Sequence, residues 1–139
     1  MSLFNIFDIA GSGMSAQSLR LNTTASNLAN VDSVSSSIDE TYRARHPVFA
    51  TVLNDAYSKQ GMQVGGVEVR GLVESTASIR KEYMPSHPLA DTEGYVYHSN
   101  VDPIVEMANM MSASRSYQNN VEIANTSKQL LLRTLQLGQ

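Results

Sequence analysis

The chain has no cysteine and no tryptophan among its 139 residues, and aromatic residues make up only 6% of it. Without thiols there can be neither disulfides nor thiolate metal sites. With few large rings, a core must be built from Leu, Val, Ile, Met and Ala. Positive charge is also scarce: 10 Lys and Arg stand against 13 Asp and Glu, a formal net charge of −3. The basic residues form no run, so the electrostatic footprint of a nucleic-acid binder is missing, as is a polybasic membrane patch. Long apolar runs are absent too, none approaching the roughly 18 residues that a membrane span needs. The opening MSLFNIFDIA is apolar, yet no Lys or Arg precedes Arg20, and Asn5 and Asp8 interrupt it. That makes a poor secretory signal, and any export is expected to use a route that reads no cleaved signal.

What is present divides into three parts, expected at 1–32, 33–100 and 101–139. In the first, Phe7, Met14, Leu21 and Leu28 recur every seven residues, and Phe4, Gly11, Ser18 and Ala25 run beside them. Seven residues are about two helical turns, so both series share one face of a helix from Leu3 to about Val31. Small residues beside large ones suit close helix–helix packing. Gly11 and Gly13 weaken that helix by roughly 1 kcal/mol each relative to Ala, so it is expected to be marginal alone and to form on assembly. The last part carries the strongest periodicity: Met107, Met110, Ser114, Tyr117, Val121, Ala124, Lys128, Leu131 and Leu135 alternate at three and four residues. Asp102 and Pro103 open this helix as N-cap and first helical residue, Glu106 suits the dipole of the first turns, and Gly138 closes it. At about 1.5 Å per residue the helix spans roughly 50 Å, too long for the interior of so small a domain. A partner must therefore cover it.

The middle part opens with the Ser-rich VDSVSSSIDE, read as a loop. Strand-like runs follow at Pro47 to Leu53, Gly66 to Val73 and Ser78 to Tyr83, the second with apolar–polar alternation at Val67, Glu68, Val69 and Arg70. Tyr83 to Tyr95, with two prolines and a glycine, reads as an ordered turn-rich loop or hairpin. The expected fold is mainly α with a small β insert: long N- and C-terminal helices pack as a coiled-coil-like pair around a β-rich, irregular middle.

Little in the sequence suggests chemistry. His87 and His98 flank Asp91 and Glu93, but no metal-ligand or HExxH spacing accompanies them, and a hydrolase built on His87 and Asp91 lacks a nucleophile elbow. Asp8, Gly11, Ser12 and Gly13 lack the Gly-Lys-Ser/Thr of a phosphate loop. Met107, Met110 and Met111 sit at helical spacing and read as packing rather than as a promiscuous groove. Arg115, Lys128 and Arg133 either snorkel on a solvated face or pair with acids such as Glu106 and Glu122 or with neighbouring subunits. Asn30, Asn119, Asn120 and Asn125 are either exposed or buried amides that fix register between subunits. No catalytic residue, metal or cofactor is expected.

Three stretches carry a resemblance: SLRLNTTASNLANVD (Ser18 to Asp32), YMPSHPLADTEGYVYHSN (Tyr83 to Asn100), and Val101 to Gln139, with EMANMMSASRSYQNNVEIANTSKQLLLRTLQLGQ. The chain resembles the flagellar basal-body rod proteins, and the second and third stretches narrow the resemblance to a proximal-rod member. It departs from many axial proteins after Asn30, where Val-Asp-Ser-Val and a Ser-rich stretch replace the usual Thr, Gly and aromatic. The resemblance implies a structural subunit of the bacterial flagellar rod, in the basal body and periplasm. Its terminal helices would polymerise, by self-association in a helical array, into the tubular drive shaft that carries torque from motor to hook. It implies export without a cleaved signal peptide through the flagellar type III export apparatus. Its partners would be other flagellar rod subunits and adjoining basal-body proteins, with no nucleic acid and no direct membrane span. The expected assembly interface is Phe7, Met14, Leu21, Leu28, Asn30, Met107, Met110, Tyr117, Val121, Ala124, Leu131 and Leu135. A secreted coiled-coil effector or adhesin module is the alternative.

Overall fold

A computed structural model describes residues 3–53 and 65–137. Among the described residues, two long helices flank five strands. The N-terminal helix α1 covers Leu3–Ala29, and the C-terminal helix α2 covers Pro103–Leu137. Between them lie β1 (Val34–Ser35), β2 (Arg45–Leu53), β3 (Gly65–Glu74), β4 (Arg80–Tyr83) and β5 (Tyr95–His98). The expected strands at Pro47, Gly66 and Ser78 are therefore present, with ends moved by one or two residues. β1 and β5 were not anticipated. The helix stop expected at Gly138 lies outside the described residues, as does the side chain of Phe4.

Local chemistry sets the start of α2. The Asp102 carboxylate accepts the backbone N–H groups of Ile104 (2.9 Å) and Val105 (3.2 Å), satisfying two of the donors left free by a helix N-terminus. Pro103 has no N–H to satisfy there.

The strands form two antiparallel units. β5 is the middle of a three-stranded sheet ordered β1-β5-β4, and β2 and β3 make a separate ribbon. In the small sheet Val96 is fully buried. In the ribbon the pairing shifts between Val48 and Phe49, since Val48 opposes Gly71 and Phe49 opposes Val69. Arg70 is the extra residue of this bulge, which twists the ribbon.

The two helices run antiparallel, with Asn27 meeting Glu106 near one end and Gly13 meeting Asn120 further along. The buried seam is not the one that hydrophobicity picked out. On α1 it passes through Ala10, Ala16, Thr23, Thr24 and Asn27, and on α2 through Glu106, Ala113 and Ser127. Gly13, Arg20 and Asn27 are seven apart, as are Glu106, Ala113, Asn120 and Ser127. Each series sits one residue before the expected ones, at Met14, Leu21 and Leu28 and at Met107, Ser114, Val121 and Lys128. One residue is about 100° of helix rotation. Small and polar residues let the backbones approach, and the larger apolar side chains are left along the flanks.

Candidate assembly interface

The centre of the molecule is an amide. Asn27, fully buried on α1, uses all four of its hydrogen-bonding positions. Its Nδ2 donates to the Arg45 carbonyl and to Glu106 Oε2, both at 2.9 Å. Its Oδ1 accepts the Arg45 N–H and the Tyr42 hydroxyl, both at 3.0 Å. The side chain thus pairs with the first residue of β2 as another strand would, and also reaches α2. Glu106, only 3% exposed, accepts Asn109 Nδ2 at its other oxygen (3.4 Å). Asn109 Oδ1 in turn accepts Arg20 Nη2 at 2.9 Å. The chain Arg20–Asn109–Glu106–Asn27–Arg45 ties both helices to the β insert. Glu106 is thus more than an acid suited to the helix dipole: its carboxylate is buried among amide donors.

A second tie sits nearer the start of α1. Ser12 Oγ donates to its own helix at the Ile9 carbonyl (2.8 Å) and accepts the Val67 N–H of β3 (3.1 Å). Gly66 packs so closely there that an added Cβ would stand 3.2 Å from Ser12 Oγ.

The expected chemical residues are committed elsewhere. His87 Nδ1 accepts the Leu89 N–H (3.1 Å) within its own turn. Asp91 accepts the N–H groups of Glu93 and Tyr95 (both 2.8 Å) and the Tyr97 hydroxyl (3.1 Å). The Tyr95 N–H foremost, aided by Glu93, Tyr97 and Gly94 against partial desolvation, holds the Asp91 carboxyl below the usual carboxylate range. The hydrogen bond from the Tyr97 hydroxyl to Asp91, with desolvation and the Asp91 charge, pushes the Tyr97 phenol up. His98 Nε2 lies 3.2 Å from Glu82 on the neighbouring strand, remote from that turn in the pairing. Among the described residues, no group of three or more His, Asp or Glu could hold a metal ion, and no helix is long and apolar enough to cross a membrane.

Of the residues expected at an assembly interface, Phe7, Met14, Leu21 and Leu28 are half-buried, flanking the α1 seam, as are Met110, Val121, Ala124 and Leu131 on α2. Asn30 is half-buried too, and its amide donates to the Ser26 carbonyl of its own helix at 2.8 Å. Met107 (50% exposed), Tyr117 and Leu135 (62%) face solvent. They are joined on α2 by Ile104, Val105, Met111, Ile123, Leu130 and Leu132, all exposed. Sequence reasoning missed Asn27, although it lies inside the Ala-Ser-Asn-Leu-Ala-Asn stretch already noticed; the available signal was a polar residue on the face that must meet α2.

Two long, sparsely apolar helices joined by a small β insert, with no metal-binding cluster among the described residues and many apolar side chains of α2 left uncovered, suit a chain that assembles. The profile of the family described as "Flagella basal body rod protein" matches residues 7–35. That described as "Flagellar basal body rod FlgEFG protein C-terminal" matches residues 92–137. The chain is 53% identical to the flagellar basal-body rod protein FlgC of Salmonella typhimurium and 52% identical to that of Yersinia enterocolitica, in each case over 139 residues and the full length of both chains. It is 41% identical to FlgC of Buchnera aphidicola from Acyrthosiphon pisum, again over the full length of both. The chain belongs to the flagellar basal-body rod protein family, in which its role is structural and not enzymatic.

Proposed function

We infer that this structural rod subunit builds the proximal rod by polymerising through its terminal helices, α1 and α2 packing as a coiled-coil-like pair in the wall of the tube. The observation that carries this is the set of uncovered apolar side chains along α2, from Ile104 to Leu135. Exposed apolar surface of this extent is stabilised by burial, at about 25 cal/mol per Å² removed from water, and neighbouring subunits supply the cover. The parts 1–32 and 101–139 are then the assembly domains, and 33–100 decorates the tube. The partners are further copies of this chain in a helical array, other rod subunits and adjoining basal-body proteins. In this reading the chain is exported through the flagellar type III apparatus without a cleaved signal and forms part of the periplasmic drive shaft that carries torque from motor to hook. Its lack of cysteine and its marginal helices suit a chain that must be threaded before it folds.

The test replaces Leu130, Leu132 and Leu135 together by Ser and supplies the variant to a motile strain lacking its own copy. All three are exposed, so folding of the chain itself should change little, while recovery in basal bodies should fall at least tenfold and swimming should stop. Normal motility with this variant would remove the α2 flank from the interface.

A further inference from the structure

The seam between α1 and α2 offers little shape by which to choose its own register. Of its buried residues Ala10, Ala16, Ala113, Thr23, Thr24 and Ser127 are all small, so a slip of seven residues replaces small by small along much of its length. Such a slip moves one helix about 10.5 Å past the other. In one direction it brings Arg20 level with Glu106 and Gly13 level with Ala113, which creates an ion pair and makes this a credible competitor. It also carries Asn27 beyond Pro103, the first residue of α2. In the other direction Asn27 comes level with Ala113, and Glu106 loses the amide that now meets it.

We propose that Asn27 is the residue that selects the register of the helix pair, and so sets the heights at which the subunit presents its apolar flank to its neighbours. Only in the observed register are all four hydrogen-bonding positions of the buried amide filled, two by the Arg45 peptide groups, one by Tyr42 and one by Glu106. A buried polar group with no partner costs about 1–3 kcal/mol; either slip takes the Glu106 acceptor from the Asn27 amide, and the second leaves Glu106 without a replacement as well. Polar residues in otherwise permissive helix seams fix register in this way. Because the same amide holds the start of β2, the height of the β insert is fixed by the same choice. Asn27 is a positioning residue here. It touches no neighbouring subunit, and it determines where Ile104, Met107, Met111 and Leu135 meet one. The proposal rests on the rod reading.

The absence of cysteine allows a direct test. Gly13→Cys with Asn120→Cys reports the observed register, since an added Cβ at Gly13 points at the Asn120 side chain 2.8 Å away. Gly13→Cys with Ala113→Cys reports the slipped one and cannot be bridged in the observed geometry. Each pair is placed in the full chain with and without Asn27→Leu, as the sole copy in cells grown with or without dithiothreitol. Basal-body recovery and intramolecular cross-linking are measured. With Asn27 present, only the 13–120 pair should cross-link. Asn27→Leu should lower basal-body recovery at least tenfold and allow the 13–113 disulfide. The oxidised 13–120 pair should restore recovery severalfold, while the oxidised 13–113 pair should not. Both disulfides add comparable loop closure, so equal rescue by the two would mean that Asn27 only stabilises the fold, and would overturn the proposal. So would undiminished recovery of Asn27→Leu, or no rescue by 13–120. Failure of the cysteine-free parent chain to enter basal bodies would overturn the rod reading and this proposal with it.

Discussion

Asn27 and Asn30 lie less than one helical turn apart on α1, and their amides are spent differently. Asn30 folds back onto the Ser26 carbonyl, whereas Asn27 is fully buried and bonds three other segments. The sequence holds both amides in one motif, and a buried role for an amide was legible in it. Which amide is buried depends on the phase of the helix to within one residue, which periodicity of the apolar side chains misjudged. The turn before β5 holds a second residue-scale device. Asp91, with its folded pKa depressed, contributes stability that is present above the usual carboxylate range and is lost as pH falls through the depressed value. Tyr97, with its folded pKa raised, contributes stability that is present below its ordinary range and is lost as pH rises through the raised value. The two reinforce each other across neutral pH. Asp91→Asn should therefore bring the Tyr97 phenol back towards its ordinary range in an NMR titration, and should lower the melting temperature at pH 7 but not in strong acid. An unmoved Tyr97 titration would mean that the 3.1 Å contact does not form in solution. Gly94, in the same turn, has a φ of +85°, and a Cβ there would stand 2.9 Å from the Tyr83 ring. Gly94→Ala should cost about 1–3 kcal/mol in unfolding equilibria, from strained backbone and crowding. A neutral result would show that the turn relaxes.

At the scale of elements, the longest were the most legible. α1, α2, β2 and β3 were placed by periodicity, by the Asp102-Pro103 start and by apolar–polar alternation. β1, at two residues, has no pattern to detect. β5 (Tyr95–His98) is four residues long and follows directly on a loop rich in Pro and Gly. Its strand character comes from pairing on both sides, with β1 and β4, and from the burial of Val96. The attachment of the β2–β3 ribbon to α1 was not legible at all, because Ser12 is one serine among many and its partner is a backbone N–H 55 residues away. That tie gives a prediction at this scale. Ser12→Ala removes the acceptor for Val67 and should destabilise docking of the ribbon by about 1 kcal/mol. Amide exchange at Val67 and its strand neighbours should quicken severalfold while exchange in α2 is unchanged. Equal loosening of both helices would show that Ser12 supports the helix pair rather than the ribbon.

The whole molecule is short of apolar core. Among the described residues the buried hydrophobic ones are Ala10, Ala16, Ala44, Ala113, Val96 and Val101, and the largest fully buried side chains are Val96 and Asn27. Alanine buries too little surface to offset, at about 25 cal/mol per Å², the backbone ordering of two long helices, which costs roughly 1–2 kcal/mol per residue. Many of the large apolar side chains that could do so are exposed, along α2 and in the β insert. The polar network around Asn27 is satisfied, though Gln17 Oε1 is buried with no hydrogen-bond partner, and polar bonds exchanged with water contribute only about 0.5–1.5 kcal/mol each. In the proposed reading the helix pair gains much of its stability from neighbours, as expected from its glycines, its modest apolar content and a C-terminal helix too long for its domain. The isolated chain at neutral pH should therefore elute from gel filtration as an expanded monomer, with circular dichroism well below the helix content of α1 and α2 and a broad melting transition. Addition of rod fragments should raise the helical signal and protect both termini from protease together. A compact monomer with full helicity and a sharp transition would mean that the pair closes on itself without neighbours. The flank of α2 would then be a docking surface on a preformed subunit, rather than half of a fold completed by assembly.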